Sequence, residues 1–205
     1  MMYVLGVIII LILVVFSFLI RNRTRQSKIL KINIFENQDL KSITIENIDL
    51  MEDGSEFEEY LLRLFLALGY NDAYKTVGSH DFGADLVFSD SNGIRNVIQA
   101  KRYNSDSSIG IDAVQQIYAA RNYYQAKKAV VIGTTKYTDS SDTLAGVNGV
   151  LLLDRNDLIE IITAFKYGNY EEARIIIERE PRVIYEFWDN KDRTFEIKKD
   201  KKMSI

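Results

Sequence analysis

At 205 residues, 47% hydrophobic and 27% charged, the chain has the composition of a globular protein of one or two domains with a real core. It contains no cysteine, one proline and one histidine, His80, which excludes disulfide scaffolds, cysteine-ligated zinc, thiol nucleophiles and histidine metal clusters. Residues 1–31 carry Arg21, Arg23, Arg25, Lys28 and Lys31 and no acid, leaving 21 basic against 29 acidic side chains, a net of −8, in the remainder. So acidic a body is not the footprint of a non-specific nucleic-acid coat, and any contact with nucleic acid has to be local. Chemistry must rest on carboxylates, amides, lysine and arginine, with a hard metal where one is used.

Met1 to Ile20 is an apolar run broken only by Gly6 and Ser17. Twenty helical residues span roughly 30 Å, the thickness of a bilayer's hydrocarbon core. A cleavable signal peptide is the competing reading. It is disfavoured because no basic residue precedes the run and no small-residue cleavage site ends it. The five cations that follow predict an N-terminus outside and the rest of the chain in the cytoplasm, a single-pass arrangement in the cell membrane.

Residues 21–50 read as a basic flank and linker, with one weak strand suggested by the alternation around Ile43 to Ile48. Phe57, Tyr60, Leu61, Leu64, Phe65 and Leu68 recur at helical spacing, and Gly69 supplies a stop. Strands are expected at Tyr74 to Val77, Ala84 to Phe88 and Arg95 to Tyr103. A helix from Asp112 to Gln125 leads into the buried strand Ala129 to Ile132. A short helix near Thr143 to Val147 and the strand Val150 to Leu153 come next. Asp154 suits the N-cap of a helix reaching Phe165, and Tyr170 to Arg179 reads as another, stopped at Pro181. Val183 to Phe187 and Thr194 to Ile197 look like a terminal hairpin. The pattern is a mixed α/β layer fold.

The central turn decides which side chains meet. A two-residue Asn92-Gly93 turn sets Asp85 opposite Ala100, on the wrong face. A three-residue loop pairs Asp90 with Ile94 and therefore Asp85 with Gln99. Asp90 suits the first position of a type I turn and Gly93 the left-handed bulge residue, which favours the second register. Asp85, Gln99 and Lys101 then share one face of a hairpin. A carboxylate and a carbonyl oxygen are hard ligands suited to Mg²⁺, and a nearby lysine can offset charge on a phosphorane, so the group suits phosphodiester hydrolysis.

Gly54-Ser55-Glu56-Phe57-Glu58, Leu68-Gly69-Tyr70, Asp81-Phe82-Gly83-Ala84-Asp85 and Gln99-Ala100-Lys101-Arg102-Tyr103 stand in order. Together they resemble the catalytic domain of Mrr-type restriction endonucleases, a branch of the PD-(D/E)xK nucleases. The likeness spans roughly residues 51–160 and continues weakly through Val114 to Tyr118, Val130 to Thr135 and Gly149 to Asp154. It implies a restriction-endonuclease-like α/β sandwich with a central mixed sheet, here preceded by one transmembrane helix. The domain would run over 51–165, with a helix and hairpin extension over 166–205.

The resemblance further implies catalytic roles for Asp85, Gln99, Lys101 and Glu58. Asp85, Gln99 and Glu58 would be the metal ligands for Mg²⁺, Lys101 the catalytic lysine, and Gln116 and Asp81 supporting groups behind the site. Its substrate would be DNA, cut in restriction of foreign or modified sequences. A catalytically inactive DNA-binding or signalling scaffold at the membrane, and an RNA nuclease, are the alternatives. No separate DNA-recognition domain is evident, so a targeting partner and a homodimer both remain open.

Each group also has a plainer reading. Ser55-x-x-Glu58 is a capping-box pattern, which would make Glu58 structural, although it also borders the helix's apolar stripe. Asp81 and His80 can simply shape their loop. Arg102, Tyr103 and Arg121 are candidate phosphate contacts or solvated surface groups, and Lys198, Lys199, Lys201 and Lys202 a solvated basic end.

Overall fold

The computed structural model describes residues 39–76 and 82–184. The chain divides into two compact units, residues 1–43 and 44–205. Of the first, the described part is a short 3-10 turn, Leu40–Ser42, started by the Asp39 side chain accepting the Lys41 N–H. The apolar run 1–20 lies outside the described residues. Among those residues no helix is long and apolar enough to cross a membrane.

In the second unit, α1 (Ile45–Asp49) and α2 (Gly54–Ala67) precede β1 (Tyr74–Lys75), β2 (Leu86–Ser89), β3 (Arg95–Lys101) and β4 (Ser108–Ile109). Then follow α3 (Ile111–Tyr123), β5 (Lys128–Gly133), β6 (Lys136–Tyr137), α4 (Asp139–Asn148), β7 (Val150–Leu153), α5 (Arg155–Lys166) and α6 (Tyr170–Glu178). One sheet has the order β1-β2-β3-β5-β7. Its first three strands are antiparallel, and β3, β5 and β7 run parallel. This is an α/β fold with a mixed central sheet, consistent with the restriction-endonuclease-like architecture.

Helices α3 and α4 are the crossovers that parallel pairing demands. They cover one face of the sheet. There Val87, Val97 and Val131 pack with Ala113, Val114, Ile117 and Ala120 of α3 and Ala145 of α4. The other face receives α2, where Phe65 meets Phe88 edge-on at 4.9 Å and Tyr70 closes the cluster at 4.8 Å from Phe88. The interior strand β5, between β3 and β7, is buried from Ala129 to Gly133, as expected where both faces are covered. Helix α2 ends as Gly69 predicts: with φ +100°, Gly69 lets its own N–H reach Leu66 and the Tyr70 N–H reach Phe65, both at 3.1 Å.

Three expectations need correction, and one strand pair was not foreseen. The segment read as a linker with a weak strand holds α1 instead, because the Thr44 N–H donates to the Asn47 side chain and Ile45 and Ile48 bury one helical face. Helix α4 begins at Asp139, well before Thr143. Thr138 caps it, and the Ser141 hydroxyl donates to the Ile109 carbonyl, so a serine-rich start is satisfied inside the fold. Strands β4 and β6 form a small parallel pair that no periodicity signalled. Val183 and Ile184 are not in a strand; the rest of the expected hairpin, like Val77, lies outside the described residues.

Tyr60 is fully buried in α2 and its hydroxyl has no hydrogen-bond partner among the described residues; burial pushes its phenol pKa well up. A buried unsatisfied hydroxyl costs more than a hydrogen atom in its place. Tyr60→Phe should therefore stabilise the protein by about 1 kcal/mol, read as a higher urea midpoint at unchanged slope. A lower midpoint would show that the hydroxyl is satisfied.

Candidate active site

The β2–β3 turn has the three-residue form. Asp90 N–H donates to the Ile94 carbonyl (2.9 Å), Gly93 N–H to the Asp90 carbonyl (2.8 Å), and Gly93 takes φ +72°. The Asp90 carboxylate accepts the Asn92 and Ile94 N–H groups at 3.0 and 2.9 Å. Pairing from Ser89↔Arg95 to Leu86↔Ile98 follows from that turn, and its continuation sets Asp85 opposite Gln99.

Asp85 sits just before β2, its own N–H held by the Ile98 carbonyl at 2.7 Å. Its Oδ2 accepts the Ala100 N–H at 2.7 Å and the Gln99 side-chain amide in a short hydrogen bond. Both residues are nearly closed off from solvent, Asp85 at 7% and Gln99 at 6% exposure. Gln99 turns its NH₂ towards Asp85, which leaves the carboxamide carbonyl as its acceptor.

Lys101, two residues on, donates to Gln116 Oε1 of α3 at 3.1 Å. The loop before Asp85 is brought against the same helix turn. A Cβ on Gly83 would lie 2.9 Å from the Gln116 carbonyl oxygen, and Gly83 also has φ +89°. Only glycine meets both demands.

Glu58 enters from α2. The capping-box reading of Ser55 and Glu58 does not hold. Asp53 is the N-cap, accepting the Ser55 and Glu56 N–H groups, which places Glu58 a turn inside the helix. Glu56 is engaged as well, accepting the Glu52 N–H at 2.8 Å. Glu58 instead pairs with Lys75 at 2.9 Å.

Asp85, Gln99, Lys101, Glu58 and Gln116 all line one cleft of about 690 Å³, with Gly83, Arg102 and Tyr103. Arg102 donates to the Asp49 and Glu52 carbonyls, tying the α1–α2 connection to the end of β3. Asp81 and His80 lie outside the described residues. Lys75 carried no signal, since a lysine in a short edge strand is ordinary. Phe82 was legible only as part of a motif. In the structure it has φ +46°, costing on the order of 1–2 kcal/mol for a side chain of that kind, and stacks on Tyr123.

Among the described residues no three histidine, cysteine, aspartate or glutamate side chains form a metal-holding group. Among the described residues, the oxygen donors at the open end of the hairpin are one carboxylate, Asp85, and one carboxamide, Gln99. That sparse, hard set fits Mg²⁺, which keeps several waters and takes one or two carboxylates beside substrate phosphates. Glu58 lines the same cleft, with Oε2 held by Lys75.

The restriction endonuclease family Mrr_cat matches residues 50–162, more than half of the chain. The chain belongs to this family. Two solved structures are similar. The DNA modification-dependent restriction endonuclease AspBHI aligns with TM-score 0.46 and 17% identity, covering 66% of this chain and 38% of that one. The protein of unknown function AF1548 aligns with TM-score 0.41 and 19% identity, covering 48% of this chain and 56% of that one. The chain thus spans about half or less of their lengths. No curated protein matches it.

The Gly83 approach is testable. Gly83→Ala should cost about 1–3 kcal/mol of stability, from the positive φ and the clash with the α3 backbone together. Chemical denaturation measures this. A variant as stable as the parent would mean that loop and helix are not in contact.

Proposed function

We propose that the chain is a metal-dependent endodeoxyribonuclease that hydrolyses DNA phosphodiester bonds in restriction of foreign or modified DNA. The observation that carries this is the Asp85 carboxylate held by Gln99 and the Ala100 N–H, in one cleft with Lys101 and Glu58. Asp85 and Gln99 would hold Mg²⁺, with Glu58 assisting. Bound there, Mg²⁺ supplies Lewis-acid polarisation of a phosphoryl oxygen and a more acidic water.

Other steps belong to the chain. Lys101 places its ammonium where negative charge develops on the phosphorane, and Gln116 holds that ammonium through its carbonyl oxygen. The two N–H donors on Asp85 Oδ2 fix the carboxylate's direction before substrate arrives, so no reorganisation is needed at the reaction. Arg102 and Lys75 add positive charge for the DNA backbone.

The membrane placement rests on the sequence. The run 1–20 would anchor the protein with its N-terminus outside, the five following cations in the cytoplasm and the nuclease facing cytoplasmic DNA. The inactive scaffold is the second reading, favoured by the engagement of Glu58 with Lys75 and by the single carboxylate at the hairpin.

The test uses the 205-residue chain with methylated and unmethylated plasmid DNA in Mg²⁺, Mn²⁺ or EDTA. Cleavage should need metal, and Asp85→Ala and Lys101→Ala should each lower its rate by about 100-fold or more. Intact DNA under every condition, from a folded protein that still binds DNA, would favour the scaffold.

A further inference from the structure

Beside the hairpin the cleft runs onto an aromatic surface that the proposed chemistry does not use. Phe82 lines the cleft and stacks on Tyr123, with ring centroids 4.0 Å apart and planes inclined by 30°. Tyr123 belongs to the α3 stripe that faces the cleft, four residues after Ala119 and seven after Gln116. Tyr124 meets it edge-on at 5.0 Å and itself packs on the core, so the platform is backed by the body of the domain.

Large aromatic rings are ordinarily drawn inside, yet Phe82 is 51% and Tyr123 59% exposed. The left-handed backbone of Phe82 adds strain to that exposure. The pair therefore keeps ring surface in water, and Phe82 lines the same cleft as Lys101 and Arg102.

We propose that Phe82 and Tyr123 form a stacking ledge for an unpaired nucleobase beside the cleavage site, so that the preferred substrate is DNA with a base out of the helix stack. The inference rests on the nuclease reading above. A nucleobase fits better than an aliphatic partner because it can extend the ring stack on its outer face, beside a cleft whose lysine and arginine suit a phosphate. Duplex DNA shows a protein only base edges, so a ring can stack on a base face only where the base is extruded, bulged or at an opened step. Such stacking is tolerant of base identity.

The experiment measures binding in EDTA, where cleavage is off. The 205-residue chain is titrated with two short DNA duplexes, one fully paired and one carrying a single bulged 2-aminopurine. Binding of the bulged duplex should quench 2-aminopurine fluorescence. Phe82→Ala and Tyr123→Ala should abolish the quench and weaken bulged binding about tenfold, with the paired duplex changed less than about twofold. Phe82→Leu, which keeps apolar bulk without a ring, should behave like Phe82→Ala, and circular dichroism verifies that each variant is folded.

Equal binding of both duplexes by the parent, or unchanged bulged binding and quenching in the folded ring variants, would overturn the ledge. The two readings fail separately. Ring-dependent bulge binding by a chain that cuts no DNA with any metal would sink the nuclease and leave the ledge. Metal-dependent cutting with ring-independent binding would do the reverse.

Discussion

Where β2 gives out, the Asp85 side chain takes over the work of a strand. Its Oδ2 accepts the Ala100 N–H that a main-chain carbonyl would accept in a longer ladder, and the neighbouring Gln99 amide closes on the same oxygen. A carboxylate in a low-dielectric site is tolerated only when it is hydrogen-bonded, and those two donors meet that condition. One contact therefore ends the antiparallel pairing, orients the acid and brings Gln99 beside it. Lys101 follows two residues later on the same face. Everything else at the site is arranged so that this meeting occurs in register.

The register is guarded from outside the segment that defines the family. Glu178, at the end of α6, accepts the Tyr70 hydroxyl at 2.8 Å, the Ser91 hydroxyl at 2.5 Å and the Ser91 N–H at 3.2 Å. Burial and the Glu178 carboxylate push the Tyr70 phenol well above its ordinary value, so the hydroxyl stays a donor. Lys128 approaches Asp90 at 3.7 Å and Glu180 at 2.7 Å on the same side of the turn. The extension after residue 162 thus clamps the hairpin tip whose geometry sets Asp85 against Gln99. A one-residue slip there would turn every side chain of β3 to the other face of the sheet.

What could be read from the sequence follows from how local each cause is. The turn was legible because Asp90 and Gly93 act within five residues of one another, and the alternation of β2 and β3 carried the result to Asp85. The start of α2 was misread because Asp53 and Ser55 are both good caps, and the choice depends on Asp53 reaching two N–H groups. Helix α1 was missed because alternating isoleucines satisfy a strand pattern while Ile45 and Ile48 also satisfy a helical one. Lys75 with Glu58, and Phe82 with Tyr123, are contacts between distant segments and leave no spacing to read.

The remaining tension is between an acidic body and an anionic substrate. Away from the first 31 residues the chain has a net charge of −8, which repels DNA at long range. At the cleft the charges balance. Lys101 and Arg102 stand against Glu58 and Asp85, and Glu58 is paired to Lys75 at 2.9 Å. Screening confines the body's repulsion to about 8 Å at physiological salt, so contacts made inside the cleft outweigh charges farther away. A protein built this way, acting on DNA as proposed, would gain little from non-specific sliding and would hold its substrate by a few close contacts. Aromatic stacking supplies affinity without counting on net charge, so for the proposed nuclease, with an acidic body and a charge-balanced cleft, an exposed ring pair is most useful.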